Sequence, residues 1–326
     1  MVPRVGYLWL SQLTWFQQEE FLNRSSKPQS LEGKPCLWVV ARILLIICSM
    51  RFFAPVAVLA LLLAISAHSE TPNEIRFQYQ DGLIWLKAEV PAKTKSLNFL
   101  LDSGAGVSLI DLDQARALGV RIRDPESVQG VSGRAVAYRV DDFQANSGGV
   151  VLPKSVLAVN LQAIGQRCHQ HIDGILGMDF FRGRIVQIDF AARRVRIVKR
   201  DSLSLADCEI LPIRICNDAF CVPVRVAENP AQWIRLDTGC DACLVWVVSD
   251  PLKRLTEGTS VGLSHFSRNY VKTTVQIGKQ RVAVAAAVHE EPMFSGEAGL
   301  LGNGLLSKFR LTIDEPGNRI IFERNR

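Results

Sequence analysis

Short apolar runs bounded by turn residues make up most of the chain beyond residue 70, and many are rich in β-branched residues. Leu97–Leu101 and 233–236 are two of the short apolar runs, and 195–198 and 222–226 are two of those rich in β-branched residues. Because runs of this length and composition are typical of strands, the pattern predicts a mainly β fold. The best helix candidate is Asp113–Leu118, with Asp111 or Asp113 available as its N-cap.

A different pattern precedes residue 70. The segment 52–65 is an unbroken apolar run that follows Arg51 and leads into small residues around Ala67, which is the pattern of a secretory signal peptide. We therefore expect residues 50–69 to be a signal peptide and residues 1–49 to be an upstream extension absent from the mature protein. The alternative is a membrane anchor, although the apolar stretches are shorter than the about 20 residues that span a bilayer. In either case the folded part is expected to be exported, to the periplasm or beyond the cell.

An internal repeat organises the rest of the chain. The apolar run Leu97–Leu101 leads into the triplet Asp102-Ser103-Gly104, and the run 233–236 leads into Asp237-Thr238-Gly239. Each triplet is followed by a Gly-apolar-apolar-Gly element, at 174–177 and at 299–302, and an aspartate stands twelve positions after the last glycine of each element. The matched spacing predicts two lobes, residues 70–200 and residues 201–326.

The duplicated triplets resemble the pepsin/retropepsin superfamily of aspartic proteases, and the retroviral type more closely than the pepsin type. The resemblance covers residues 75–326. It implies a two-lobed, closed-barrel fold in which each lobe supplies one catalytic aspartate, here Asp102 and Asp237. Two carboxylates held close together cannot both ionise, so one keeps a proton while the other takes a proton from a water molecule between them.

The resemblance also assigns supporting residues to this sequence. The hydroxyl residues of the triplets match those that brace the two loops against each other, and the glycines leave room for the backbone to approach the carboxylates. The loop-supporting residues are therefore Ser103, Gly104, Thr238 and Gly239. The residues expected to contact substrate are Asp241 and the tip of a hairpin flap, Gly130, Val131, Ser132 and Gly133.

The function implied is that of an aspartic endopeptidase acting on a peptide or protein, without a metal or other cofactor. The alternative is a catalytically inactive peptide-binding module on the same fold. That alternative stays open because the second lobe has Cys240 and Cys243 where the first has Ala105 and Ser108. Since one chain already carries both halves, we expect a monomer and not a homodimer.

Charge and cysteine content narrow the remaining classes. The net charge of +6 comes from 38 Lys and Arg residues against 32 Asp and Glu residues, scattered without a long basic run, so nothing favours a nucleic-acid partner. Six cysteines lie beyond residue 69, and an even number in an exported protein favours disulfides. Cys216 and Cys221 flank a four-residue turn, which predicts a hairpin disulfide. The cysteine spacing loosely resembles a zinc site, but an exported protein seldom keeps four free thiolates, so no metal is expected.

Overall fold

The computed structural model describes residues 7–8, 73–91, 94–130, 133–248, 269–289 and 295–325. The predicted signal peptide, the other residues of the upstream extension, and Val131 and Ser132 of the predicted flap lie outside these ranges. The described residues from 73 onward belong to one compact unit. None of the helices in these ranges is both long enough and apolar enough to cross a membrane.

The described chain is mainly β, as predicted. The helices in it are short: α1 (Leu112–Ala117), α2 (Gln162–Cys168), α3 (Asn303–Leu306) and two 3-10 turns, Met178–Phe180 and Arg200–Ser202. The predicted helix corresponds to α1. Its N-cap is Asp111, whose side chain accepts hydrogen bonds from the backbone N–H groups of Asp113 and Gln114.

The strands before residue 200 belong mostly to one large sheet. They are β1 (Tyr7–Leu8), β2 (Glu74–Gln80), β3 (Leu83–Ala88), β4 (Leu97–Leu101), β5 (Leu109–Asp111), β6 (Ile122–Gly130), β7 (Gly133–Val140), β8 (Asn146–Ser147), β9 (Val150–Val151), β10 (Val156–Val159), β11 (Gly174–Leu176), β12 (Ile185–Asp189) and β13 (Arg194–Ile197). Strands β8 and β9 form a separate two-stranded sheet, and Asn146 of β8 also bridges to Glu89.

The strands after residue 200 divide between that large sheet and a second one. They are β14 (Cys208–Pro212), β15 (Arg214–Cys216), β16 (Ala219–Val226), β17 (Gln232–Asp237), β18 (Leu244–Val247), β19 (Asn269–Ile277), β20 (Gln280–His289), β21 (Gly299–Gly302), β22 (Phe309–Asp314) and β23 (Arg319–Arg324). The second sheet runs in the order β15-β16-β17-β21-β18-β20-β19, and β16 also pairs with β19. The second sheet is therefore closed into a barrel.

The same strand arrangement surrounds both Asp-bearing triplets. Strand β4 pairs in parallel with β11, which pairs antiparallel with β5. Strand β17 pairs in parallel with β21, which pairs antiparallel with β18. The registers also match, because Leu100 lies opposite Ile175 and Arg235 lies opposite Leu300.

The two halves of the chain share a sheet and a hydrophobic core. Strand β12 pairs antiparallel with β22, which joins the first half to the second within the large sheet. One core cluster contains buried side chains from both halves, and the rings of Phe181 and Phe220 meet edge to face with their centroids 6.0 Å apart. This shared core places the ends of β4 and β17 next to each other.

Candidate active site

Asp102 and Asp237 each stand at the end of a buried strand. Asp102 follows β4 directly, and its backbone N–H donates to the carbonyl of Leu176 on β11. Asp237 is the last residue of β17. The chain turns back at once after each aspartate, since the N–H groups of Ala105 and Cys240 donate to the carbonyls of Asp102 and Asp237. Both carboxyl groups are almost completely buried.

One oxygen of each carboxyl is held by the backbone of its own loop. Asp102 Oδ1 accepts from the N–H groups of Gly104, at 2.8 Å, and Ala105, at 3.1 Å. Asp237 Oδ1 accepts from the N–H of Gly239 at 2.9 Å. Both Oδ2 atoms are buried, and among the described residues none outside the pair donates a hydrogen bond to them. Since buried polar atoms are rarely left without a partner, these two oxygens are the natural contacts for a water molecule or a substrate.

The glycine of each loop lies against the carboxyl of the other loop. A Cβ atom added at Gly104 would lie 2.7 Å from Cγ of Asp237. A Cβ atom added at Gly239 would lie 2.6 Å from both carboxyl oxygens of Asp102. Any side chain at either glycine would therefore push a carboxyl aside, which explains why both triplets end in glycine.

The hydroxyl groups of the triplets join the two loops by reciprocal hydrogen bonds. Ser103 Oγ donates to the carbonyl of Leu236 at 2.9 Å and accepts from the N–H of Thr238 at 3.1 Å. Thr238 Oγ1 donates to the carbonyl of Leu101 at 2.9 Å and accepts from the N–H of Ser103 at 2.9 Å. All four hydrogen bonds are buried, so they fix the two aspartates relative to each other.

Burial and proximity raise the pKa of both carboxyl groups. For Asp102, burial is the largest cause and the nearby Asp237 carboxylate the next, and together they hold the pKa well above its usual range. Burial also raises the pKa of Asp237, to about 6, although the positive charge of Arg235 opposes the rise. Two ionised carboxylates are both acceptors, so a hydrogen bond between them requires that one keeps a proton. The arrangement therefore favours a pair that shares one proton.

A buried ion pair beside the two aspartates was not predicted from the sequence. Arg235 is completely buried. Its Nε and Nη2 atoms donate to the carboxylate of Glu297 at 2.7 and 2.6 Å, and its Nη1 atom donates to the carbonyl of Gly104 at 3.0 Å. A signal for it was present, because an arginine within an otherwise apolar run is buried only when it finds a partner.

Comparison with known proteins agrees with this geometry. Residues 87–180 match the family model described as aspartyl protease. The match supports the aspartic protease superfamily. The matched segment contains Asp102 and the 174–177 element, and it ends before the second triplet. No curated protein matches the chain. The match therefore supports aspartic protease activity in general, and the second carboxylate rests on the geometry just described.

Asp241, expected to contact substrate, lies against the turn between β2 and β3. A Cβ atom at Gly82 in that turn would lie 2.7 Å from Cβ of Asp241. The neighbouring Asn303 donates from Nδ2 to the carbonyls of Gly82 and Thr238, at 2.8 and 2.6 Å. This turn of the first half therefore packs on the loop that carries Asp237. The substrate contact of Asp241 stays a prediction.

The predicted flap has the backbone of a hairpin. Strands β6 and β7 pair antiparallel up to Gly130 opposite Gly133. The two residues of the tip, Val131 and Ser132, lie outside the described residues. Contact between this hairpin and a substrate stays a prediction.

The predicted disulfide is wrong in this structure, because Cys216 and Cys221 are both free thiols. In the β15–β16 hairpin, Cys216 lies opposite Ala219 and Cys221 lies opposite Arg214. The two cysteines are therefore diagonal neighbours, and their thiols lie close enough to interact, although they are not bonded to each other. The structure also shows no disulfide at Cys168, Cys208 or Cys243. Within the described ranges, no cluster of three or more His, Cys, Asp or Glu residues could hold a metal ion.

Proposed function

We propose that the protein is an aspartic endopeptidase that hydrolyses peptide bonds with a water molecule activated between Asp102 and Asp237. The observation that carries this proposal is the pair of buried carboxyl groups, each packed on the glycine of the other loop and each with an Oδ2 atom that no described residue outside the pair contacts by a hydrogen bond. A pair of turn-capping aspartates would have no reason to meet in this way.

The proposal includes a two-lobed architecture in which residues 70–200 and residues 201–326 each supply one aspartate. The matched parallel pairing of β4 with β11 and of β17 with β21 supports it. The reciprocal hydrogen bonds of Ser103 and Thr238 support it as well, because they relate the two loops symmetrically. One chain would then act as a monomer on a peptide or protein substrate.

The chemistry follows from the single shared proton. The ionised carboxylate, Asp237, takes a proton from the water molecule, and the water oxygen attacks the peptide carbonyl carbon. Asp102 gives its proton to the carbonyl oxygen, so the tetrahedral intermediate is neutral at that oxygen. Its collapse returns that proton to Asp102, while the proton on Asp237 passes to the leaving nitrogen. The products are a carboxylic acid and an amine, and the pair regains its starting protonation.

The test replaces each aspartate separately by asparagine, which has nearly the same shape but cannot take part in the shared proton. Asp102→Asn and Asp237→Asn should each abolish cleavage of a mixed peptide library. Asp113→Asn, the same substitution at an exposed position of α1, should leave cleavage unchanged. Circular dichroism checks that all three variants remain folded.

Two outcomes of this test count against the proposal. Full activity of either active-site variant would show that the carboxyl pair does not carry out the reaction. Binding of peptides by the wild-type protein without cleavage would favour the alternative, an inactive peptide-binding module.

We also propose that the protein acts after export, on the strength of the signal-like segment at residues 50–69 alone. The mature chain should then begin near His68 or Glu70, which mass spectrometry of the native N-terminus can measure. Peptides from residues 1–49 in the mature protein would contradict export by this route.

A further inference from the structure

The Arg235–Glu297 ion pair lies next to the proposed catalytic pair, in a place where packing alone does not require charge. Both side chains are almost fully withdrawn from water. Charged groups are rarely buried unless paired, and removing two charges from water is costly even when they meet. We therefore expect this ion pair to have a role other than filling the core.

The first half of the chain shows what the same positions look like without charge. Counting back from the matched triplets and glycine elements, Leu100 stands where Arg235 stands, and Ile172 stands where Glu297 stands. The strand registers support this correspondence for β4 and β17. Leu100 and Ile172 are both buried in one apolar cluster. An apolar pair is thus sufficient for the fold at these positions.

The contacts of Arg235 show what the charged pair does that an apolar pair cannot. Its Nη1 atom donates to the carbonyl of Gly104, which belongs to the opposite loop. The N–H of that same peptide unit, contributed by Ala105, donates to Asp102 Oδ1. The α-carbon of Gly104 lies against the carboxyl of Asp237. One guanidinium group therefore holds the peptide unit that touches both carboxyl groups.

Two further contacts hold the guanidinium itself. Glu297 binds it through both carboxylate oxygens, and Asn217 donates from Nδ2 to Glu297 Oε1 at 2.7 Å. The carbonyl of Asn217 accepts from Arg235 Nη2 at 3.3 Å. A forked ion pair braced in this way has a single orientation.

We propose that Arg235 and Glu297 are positioning residues that hold the Gly104 peptide in place and make the two carboxyl groups inequivalent, so that Asp237 is the ionised base and Asp102 keeps the proton. This inference rests on the proposed function. Arg235 acts on Asp237 directly through its charge, since it is two residues away on the same strand. It acts on Asp102 through the Gly104–Ala105 peptide unit.

The charged groups around the pair determine the expected direction of each effect. Arg235 favours the anion of Asp237 and lowers its pKa, whereas Glu297 raises it, and the effect of Arg235 is the larger. Asp102 faces Asp237 from the other loop. The thiol of Cys168, on α2, is close enough to feel the charges of Asp241 and Asp102, but burial raises its pKa to about 12, so it stays neutral.

Two variants should therefore move the acid side of the pH–activity curve in opposite directions. Glu297→Gln removes the charge that opposes ionisation of Asp237, so the acid limb of kcat/KM should move to lower pH. The double variant Arg235→Leu/Glu297→Ile installs the apolar pair of the first half and removes the larger influence of Arg235, so the acid limb should move to higher pH. Each acid limb should move by at most about one pH unit. This is the lower end of the about 1–3 units by which a neighbouring charge shifts a pKa. In the double variant kcat should also fall while KM changes little, since the Gly104 peptide loses its anchor.

The double variant is expected to fold, because replacement of a buried ion pair by apolar residues is often neutral or stabilising. Circular dichroism and thermal unfolding of both variants check this. A merely structural role would change the unfolding temperature and leave both acid limbs where they are. Unmoved limbs, or limbs that move in the same direction, would overturn the inference.

A second measurement separates failure of this inference from failure of the proposed function. Carbon-13 NMR titration of the Asp102 and Asp237 carboxyl carbons reports their protonation whether or not peptides are cleaved. In the wild-type protein Asp237 should titrate at lower pH than Asp102. The gap between the two titration midpoints should narrow in the double variant. An equal gap in both proteins would refute the inference even for an inactive protein. Inactivity of the wild type with a normal gap would refute the proposed function alone.

Discussion

Replacement of Thr238 by valine would remove one hydroxyl from the joint between the two Asp-bearing loops and leave the side-chain shape almost unchanged. In the wild-type protein this hydroxyl donates to the carbonyl of Leu101 and accepts from the N–H of Ser103. Valine can do neither, so one acceptor and one donor would lose a partner inside a buried interface. Activity is not needed to observe the effect, because the expected change is in the free energy of unfolding.

The magnitude follows from the number of groups left without a partner. Each buried polar group that loses its hydrogen bond costs about 1–3 kcal/mol, so two groups would cost about 2–6 kcal/mol. We expect the lower half of that range, because a small backbone shift can lengthen a bond instead of breaking it. Thr238→Ser keeps the hydroxyl and loses one methyl group, for which about 1 kcal/mol is expected. The difference between Val and Ser at this position isolates the hydrogen bonds.

Denaturant unfolding followed by fluorescence measures these free energies. Ser103→Ala removes the partner hydroxyl, and the double variant Ser103→Ala/Thr238→Val completes a thermodynamic cycle. Because both hydroxyls connect the same two loops, the double variant should lose less than the sum of the single losses. The reasoning would be refuted if Thr238→Val stayed within about 0.5 kcal/mol of the wild type, the range of ordinary surface substitutions. It would also be refuted if Thr238→Ser cost as much as Thr238→Val.

Two further predictions concern the carboxyl pair itself. Because burial raises both pKa values and activity needs one proton on the pair, kcat/KM should peak in mildly acid solution, and an optimum near about pH 2 would contradict this. Ala105→Ser adds a hydroxyl that can stabilise the ionised pair, so the acid limb should move to lower pH, and an unmoved limb would count against that role. Gly239→Ala should reduce activity strongly, because its Cβ atom would displace the carboxyl of Asp102. Gly119→Ala is the control. Gly119 has a positive φ but open space around it, so the substitution should cost about 1 kcal/mol of stability and leave activity unchanged. Loss of activity in this variant would indicate that the assay reports folding.

Features of the site that repeat along the chain could be predicted from the sequence. Each triplet stands at the end of a short apolar run, and a run of that kind forms a strand for local reasons. The matched glycine elements predicted that the strands carrying the two aspartates have the same neighbouring strand, as the pairing of β4 with β11 and of β17 with β21 shows. The cap at Asp111 was also predictable, because an N-cap involves only the next few residues. The disulfide predicted between Cys216 and Cys221 is absent although the hairpin brings the two thiols together, because a short spacing predicts proximity and not oxidation.

Features that differ between the halves could not be predicted from the internal repeat. Arg235 and Glu297 are 62 positions apart and share no local pattern, and their counterparts Leu100 and Ile172 are apolar. A comparison that looks for identity between two halves passes over such positions. Two identical halves can share one proton between equivalent carboxyl groups, but a fixed choice of which carboxyl is the base requires a difference between the halves. The positions at which the repeat breaks nearest to the aspartates are therefore the ones to search for the residues that decide which carboxyl is the base. Arg235, which binds the Gly104 peptide and lies two residues before Asp237, is the first of these.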